Sequence, residues 1–455
     1  MADFGLYAGH WIALTETNEV ASVGITCEDA RCTAHTNRPK EHLRLAWVSP
    51  HPPHVLIPEW PLNFLSNVLP KSGLWLAGGP VRDLLLGRQL HDWDFAVAEH
   101  AMSLARNVAD ALDAAYYPLD KERDTGRTIA KDPGTQRLIT LDFAALRGKT
   151  IEEDLRLRDF TINAMAMTLE GEVIDPTGGQ KDLKRKLIRA TSEHTFTDDP
   201  VRLLRAIRQA GELDFNLEPQ TRAAIRTQAA AIHTVAPERV RTELCNMLDF
   251  VPAARCLRSL KDSELLDPIL PEIQALTTIE QSWPHDYTSA WEHTLAVITA
   301  VEDILLLLKG KALLRDKAQS RSPENSIPVP GWTWSILADK LTPLQPALLE
   351  YVNETVNVDM PRTALLKWGA LFHDVGKATT CTVDEDGLTH YYGHAEAGAA
   401  LTQTRLEMLR FPNKALTFVR TLVQTHMRLI SMIKTPPTRR AVYRFYRATG
   451  DAGVG

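Results

Sequence analysis

The chain has 455 residues, too many for one ordinary core, and its 44% hydrophobic and 24% charged make-up is that of a globular protein of two to four domains. A formal net charge of −6 and a pI near 6.2 exclude a basic field over the whole chain, so affinity for nucleic acid has to come from local clusters. No apolar run reaches membrane-spanning length, since Glu302 and Asp303 break "LAVITAVEDILLLL", and "MADFGLYAGH" lacks the basic start and apolar core of a signal peptide.

Five cysteines, Cys27, Cys32, Cys245, Cys256 and Cys381, are odd in number and scattered, which points to reduced thiols and a cytoplasmic protein. "CEDARC" has neither the spacing nor the second half of a zinc knuckle. Residues 1–52 read as a small separate unit. "HWIALT" and "EVASVGI" are strand-like about a turn at "ETN", a polar helix "TCEDARCTAHTN" follows, and "LRLAWVS" closes it. The pattern resembles a ββαβ accessory module found fused to many prokaryotic proteins. "PHPPH" then punctuates the chain.

Over residues 60–190, helices alternate with short strands that end in acidic residues, which predicts an α/β or α+β head. Beyond about 195 the period is helical throughout, predicting a helical neck over 191–275 and a helical body over 280–455. The whole is therefore an α+β head followed by an all-helical part. "RDKAQSRSPENSIPVPGW" reads as a loop or insertion within the body. No internal repeat is visible, and "RFYRATGDAGVG" closes without a cap or polar tail, as in a chain cut within a domain.

The head carries the first chemical signal, "LWLAGGPVRDLLLGRQLHDWDFAV". Gly78 and Gly79 follow a strand and precede a helix with Pro80 in its first turn. Small residues there leave backbone N–H groups open at a helix N-terminus, where a phosphate is favoured, and Arg82 could grip the same anion; for the glycines taken alone, a tight packing turn is the stronger reading. In "DWDF", residues two apart share one strand face, so Asp92 and Asp94 point together while Trp93 enters the opposite layer. Neighbouring carboxylates repel unless a cation lies between them, and magnesium accepts carboxylate and phosphate oxygens together. The strand "RLITLDFA" brings Asp142 as a third acid. It either joins a two-metal phosphoryl-transfer site or serves as a salt-bridge partner.

Five motifs then follow in order: "AGGPVRDLLLGRQLHDWDFAV", "EEDLRLRDFTINAMAM", "DPTGGQKDLKRKLIRAT", "DDPVRLLRAIRQA" and "APERVRTELCNML". They resemble the successive motifs of the tRNA nucleotidyltransferase/poly(A) polymerase family, in its bacterial class with an all-helical body. The resemblance implies that Gly79, Arg82 and Asp83 belong to the triphosphate turn and that Asp92 and Asp94 bind Mg2+. It also implies that Arg158, Asp159 and Asn163 bind ribose and phosphates and brace the site. Where the family has two arginines before "DFTINA", this chain has Leu157 and Arg158. That weakens nucleotide binding or shifts the load to Arg156.

In "DDPVRLLRAIRQA", Arg202, Arg205 and Arg208 fall within roughly 120° on a helical wheel, opposite Leu203, Leu204, Ala206, Ile207 and Ala210. A solvated basic face explains this pattern alone; the family motif implies nucleotide binding. Asp199 would accept from the exocyclic amine of cytosine or adenine and Arg202 would donate to the ring acceptor beside it, whereas uracil and guanine present a carbonyl in the amine's place. Asp198 stands where the family has glutamate. Lys181, Lys184, Arg185 and Lys186, with Arg239 and Arg241, supply basic patches for an RNA 3′ end.

A second constellation lies in the body: His293, the adjacent His373 and Asp374, His394 and His426. Their order is similar to an HD-type metal phosphohydrolase, in which imidazoles and a carboxylate hold one or two divalent ions. The pattern's last acid is not evident after His426, Asp451 being a candidate, so a role in fold support and one in trimming RNA ends both stand. The combined expectation is an Mg2+-dependent enzyme adding C and/or A from CTP and ATP to tRNA. A poly(A) polymerase, an HD phosphohydrolase with a nucleotide-sensing head, and a non-catalytic RNA-binding protein are the rivals.

Overall fold

The computed structural model describes residues 4–50, 56–58, 60–62, 64–90, 92–133, 136–250, 252–280, 289–310, 334–357, 360–434 and 437–454. "RDKAQSRSPENSIPVPGW" and all but the first residue of "PHPPH" lie outside them. The chain folds as two compact units, Met1–Thr195 and Phe196–Gly455. The expected N-terminal module and head thus share one unit, and the expected neck and body share the other.

The first unit opens with β1 (Trp11–Leu14), β2 (Val20–Gly24), α1 (Cys27–Asn37) and β3 (Arg44–Val48). Ile12 and Leu14, two apart on β1, point to one face and bury completely with Val48. Thr26 and Asp29 cap α1 reciprocally, each side chain accepting from the other's backbone N–H. A fourth strand, β4 (Leu56–Pro58), pairs with β3, so the sheet order is β2-β1-β3-β4 and the module runs past the expected boundary at 52. Burial of Ile57 explains why so short a segment pairs. Ser49 Oγ donates to the Gly171 carbonyl at 3.2 Å, tying the module to the head.

The head is a seven-stranded sheet in the order β11-β10-β5-β6-β9-β8-β7. Its strands are β5 (Leu74–Ala77), β6 (Asp92–Val97), β7 (Ala115–Asp120), β8 (Thr125–Lys131), β9 (Leu138–Ala145), β10 (Ala166–Met167) and β11 (Val173–Ile174). Its helices are α2 (Gly79–Leu85), α3 (Ala101–Ala111), α4 (Ile151–Arg156) and α5 (Gly179–Arg185). β6 and β9 run parallel, while the neighbouring pairs β5–β6 and β8–β9 are antiparallel. Trp93 and Phe95 lie on the buried face of β6, and Phe95 stacks on Phe143 of β9 with centroids 4.9 Å apart. Aromatic burial of this kind stabilises by about 1.5–3 kcal/mol per side chain. It also pins the register, because a slip of one residue would carry the rings to the other face.

After α6 (Thr195–Asp198), the second unit is largely helical, with short antiparallel strand pairs Thr355–Asn357/Met360–Pro361 and Thr382–Val383/Thr389–His390. Its helices begin with α7 (Arg202–Leu213), α8 (Pro219–Gln228), α9 (Pro237–Asp249), α10 (Ala253–Asp262), α11 (Leu266–Ile269) and α12 (Pro271–Ala275). Then come α13 (Ala290–Leu308), α14 (Trp334–Leu341), α15 (Gln345–Asn353), α16 (Arg362–Phe372), α17 (Lys377–Thr380), α18 (His394–Met408), α19 (Asn413–Lys434) and α20 (Arg439–Thr449). Helices α13, α16 and α19 pack around fully buried Trp291, Trp368, Phe372 and Phe418. A buried ion pair joins α13 to α16, with Lys367 Nζ 3.0 Å from Glu302. Glu302 also accepts from the Ala253 N–H and Lys367 donates to the Phe250 carbonyl, which offsets part of the cost of desolvating both charges. Among the described residues, no helix is long and apolar enough to cross a membrane.

Candidate active site

In the head, the strand period and the parallel β6–β9 register together assemble an acidic cluster. Asp92 and Asp94 occupy one face of β6, and Asp94 stands directly opposite Asp142 on β9. Burial, and then the charge of Asp142, push the Asp94 carboxyl up to about 6; Asp92 adds to the rise, while Arg158 and Arg127 oppose it. Such a carboxyl is short of positive charge, which is the property expected of a cation site. Asp142 itself is held by Arg127 of β8 through two bonds of 2.7 Å. The register predicts this pair, since Arg127 lies opposite Asp142. Arg127 was not evident from the sequence because its partner depends on which strands pair.

The turn before α2 is built around a positive φ. Gly78 has φ +80, and a Cβ there would lie 2.7 Å from Arg158 Nη1, so only glycine lets that guanidinium approach the turn. Arg158 is positioned by Asp154 of α4, which accepts from its Nε at 3.1 Å and from Arg147 Nε at 2.9 Å. Asp154 is buried, which works to raise its pKa, but Arg158 and Arg147 outweigh that and hold it below the usual range. Leu157, at the position where the family has a further arginine, is 47% exposed.

Arg82 does not stand open to an anion as the sequence suggested. It is buried, with Nε and Nη2 donating to Asp83 at 3.0 and 2.9 Å and Nη1 to Asn163 Oδ1 at 2.9 Å. Asn163 Nδ2 donates in turn to Asp159 Oδ1 at 3.1 Å, an oxygen that also accepts from the Phe160 N–H. The chain Asp83–Arg82–Asn163–Asp159 thus braces the Gly78–Gly79 turn against the 3-10 turn Thr161–Asn163. Lys184 and Arg185 lie exposed at the end of α5.

In the second unit, the basic face of α7 forms as the wheel predicts: Arg202, Arg205 and Arg208 are partly exposed and the residues between them are buried. Two of these arginines serve the fold. Arg205 Nε and Arg208 Nε donate to the two oxygens of buried Glu243 on α9, at 3.3 and 2.7 Å, and Arg208 Nη1 reaches Glu212. Glu243 pairs with both cations and so clamps α7 to α9 on the face for which nucleotide binding is expected. Arg239, expected on RNA, instead grips Asp199 bidentately at 3.0 and 2.7 Å. Partial burial works to raise the Asp199 pKa, but the Arg239 bonds and charge outweigh it and hold Asp199 below the ordinary range.

The second constellation is also assembled. Asp374, buried beside His373 at the end of α16, sits between two groups, His293 with His373 and His394 with His426. Within each group the ligand-capable atoms lie within 4.8 Å of one another. Asp374 Oδ2 is 3.1 Å from His373 Nε2 and 3.6 Å from His293 Nε2, and Oδ1 is 3.5 Å from His394 Nε2 and 3.9 Å from His426 Nε2. Nδ1 of His373, His394 and His426 each lies 2.6–2.8 Å from the carbonyl three residues earlier, which turns Nε2 of each inward, towards Asp374. Gly376 permits the turn to seat against α18, since a Cβ there would lie 2.6 Å from the Gly398 N. Lys377, missed in the sequence, places Nζ 2.7 Å from Asp374 Oδ2. Burial opposes ionisation of Asp374, but the charge and bond of His373, then Lys377, hold it well below the carboxylate range. Burial, then the charge of His373, depress His426 to about 4. Asp451 is exposed in the last 3-10 turn and belongs to neither group.

A strand-borne acid pair beside a glycine turn, on an antiparallel-flanked sheet and followed by a helical part, defines a nucleotidyltransferase. Residues 74–189 match the poly A polymerase head domain, and residues 214–276 match the probable RNA and SrmB-binding site of polymerase A. The A-adding tRNA nucleotidyltransferase of Deinococcus radiodurans is 34% identical over 361 residues, 78% of this chain and 69% of that protein. The CC-adding tRNA nucleotidyltransferase of Thermus thermophilus is 32% identical over 380 residues, 82% of this chain and 72% of that protein. Among solved structures, a tRNA nucleotidyltransferase complexed with a primer tRNA and an incoming ATP analogue shares the fold at a TM-score of 0.51 and 23% identity, over 83% of this chain and 88% of that one. The chain belongs to the tRNA nucleotidyltransferase/poly(A) polymerase family.

Proposed function

We infer that the chain adds C and/or A, from CTP and ATP, to the 3′ end of tRNA with release of pyrophosphate. The observation that carries this reading is the pairing of Asp92 and Asp94 on β6 with Asp142 opposite, beside the Arg158-backed turn at Gly78. Kinship with A-adding and CC-adding tRNA nucleotidyltransferases supports the substrate class.

The 3′ hydroxyl attacks the α-phosphorus; a new P–O bond forms as the bond to pyrophosphate breaks. Asp92 and Asp94 are the residues that would hold Mg2+, and the burial and neighbouring carboxylates that raise Asp94 fit a bound cation. When bound, magnesium supplies positive charge to the triphosphate and lowers the pKa of the attacking hydroxyl. Arg158 adds charge beside the glycine turn, and Asp154 fixes its aim. Asp199 and Arg202 read the amine-and-acceptor edge common to cytosine and adenine. Asp199 then exchanges its Arg239 contact for that edge.

The test is incubation with tRNA ending at the discriminator base, at C and at CC, with labelled CTP or ATP. Addition that stops after one to three nucleotides is the expected result. Long A tracts would make the chain a poly(A) polymerase, and absence of incorporation on every substrate would overturn the reading.

The inward Nε2 atoms around Asp374 carry a second reading, a divalent-metal centre in the helical unit that hydrolyses phosphoesters at RNA ends. His293, His373, Asp374, His394 and His426 are its ligand set. Metal content after chelation and reloading tests the centre, and phosphate release from 2′,3′-cyclic or terminal phosphates tests the activity. A chain that retains no divalent ion excludes both.

A further inference from the structure

We propose that helix α20 is a docking face for the phosphate backbone of tRNA, with Tyr443 stacking on an unpaired base. This rests on the tRNA reading above and names a surface that reading leaves unassigned.

The helix reads "RRAVYRFYRAT": four arginines, two tyrosines and no acid in eleven residues, on a chain whose net charge is −6. At about 100° per residue, Arg440, Tyr443, Arg444 and Arg447 fall within an arc of roughly 100°, with Arg439 and Tyr446 beside it. Val442, Phe445 and Thr449 occupy the opposite side, where Thr449 is fully buried. The basic arc is open: Arg439, Arg440, Arg444 and Arg447 are exposed, and Tyr443 and Tyr446 are 65% and 56% exposed. Among the described residues, none of these four arginines makes an ion pair. That contrasts with Arg205, Arg208 and Arg239 of the same unit, whose charges are spent on Glu243, Glu212 and Asp199.

The N-terminus of α20 sharpens the argument. Thr438 caps the helix by accepting from the Ala441 N–H, yet Arg439 and Arg440 fill the first two positions with no acid in the first turn. Cations at that end oppose the helix dipole and cost stability. An anionic partner reverses this penalty, because the same end then presents both side-chain and dipole charge to it. A row of arginines supplies bidentate phosphate contacts, and an exposed ring among them supplies a stacking surface that tolerates any base. An acidic peptide would satisfy the arginines but leave Tyr443 without a role, so RNA is the better fit.

The full chain and a combined Arg440→Ala, Arg444→Ala, Arg447→Ala variant are titrated with a tRNA transcript lacking its 3′ CCA, over a series of salt concentrations. The variant is expected to bind at least about tenfold more weakly, with its log–log salt slope reduced by about 3. The corresponding triple lysine variant should keep the slope, and Tyr443→Ala should lose about tenfold without changing it. These changes lie on the surface, and equal thermal midpoints verify the fold; if the triple alanine variant does not fold, Arg444→Glu alone gives the same reading. Unchanged affinity and slope overturn the proposal, as does binding of polyglutamate, or self-association, that depends on α20 while tRNA binding does not. If the unmutated chain binds tRNA through α20 but adds no nucleotide, the transferase reading fails and this one stands. If it adds nucleotides and the triple variant keeps its KM for tRNA, this one fails alone.

Discussion

The acidic cluster of the head and the His–Asp cluster of the helical unit are balanced in opposite ways. Asp94 is raised to about 6 by burial and then by its carboxylate neighbours Asp142 and Asp92, which Arg158 and Arg127 only partly oppose. Among the described residues, Asp374 is the carboxylate grouped with the four imidazoles, and the charge and bond of His373, then the Lys377 ammonium at 2.7 Å, keep it ionised despite burial. The first arrangement carries more negative than positive charge, which favours a bound cation. The second is neutralised from within and persists without one.

The widest separation between the two comes from removing each acid in turn. Asp92→Ala or Asp94→Ala should lower nucleotide incorporation by roughly 10³-fold or more while tRNA affinity measured by filter binding stays near that of the unmutated chain. Asp374→Ala should leave incorporation intact and weaken divalent-metal retention at least about 100-fold, read by elemental analysis after dialysis. If Asp374→Ala silences incorporation while the variant remains folded, the two centres are not independent and the comparison breaks.

A smaller effect sharpens the division of labour on the basic face of α7. Asp199→Ala should let UTP compete with CTP by about ten- to a hundredfold better, the equivalent of about 1–3 kcal/mol of base discrimination. Arg208→Ala should leave that ratio unchanged and instead lower stability, because it strips one of two cations from buried Glu243. Competition assays and denaturant midpoints on the same two proteins distinguish a reading residue from a clamp. Equal selectivity in Asp199→Ala would remove that residue from base choice.

Legibility in the sequence followed the kind of periodicity involved. The acid pair was readable because i and i+2 on a strand share a face whatever the rest of the fold does, and the α7 face because a helix keeps its own period. The His–Asp centre was readable from residue types and order. What each cation does was not readable, because Arg127, Glu243 and Lys377 acquire their partners through strand pairing, helix packing and a turn. Arg82, Arg205, Arg208 and Arg239 look alike in sequence as phosphate ligands, and only packing reveals Asp83, Asn163, Glu243 and Asp199 beside them. The fourth strand of the N-terminal sheet escaped notice because "LIP" is too short to alternate, and it pairs because β3 offers an edge.

The finest test of the contrast needs no substrate. Asp94 is raised from 3.8 to about 6 in the folded chain, so between those values the native state binds more protons than the unfolded one. Stability therefore falls as pH rises through that window, and the penalty persists above it. Replacing the charge with a neutral amide should relieve the penalty. In a chelator, Asp94→Asn is expected to be more stable than the unmutated chain at neutral pH, by about 1–2 kcal/mol once solvent screening is allowed for. The gain should shrink as pH falls through the folded value and vanish below about pH 3, where the carboxyl is protonated in both states. Added Mg2+ should stabilise the unmutated chain and leave the variant nearly unchanged. Denaturant midpoints across that pH range measure both effects. A variant that is less stable at neutral pH would show that Arg127 and Arg158 already balance the cluster, and the distinction from Asp374 would disappear.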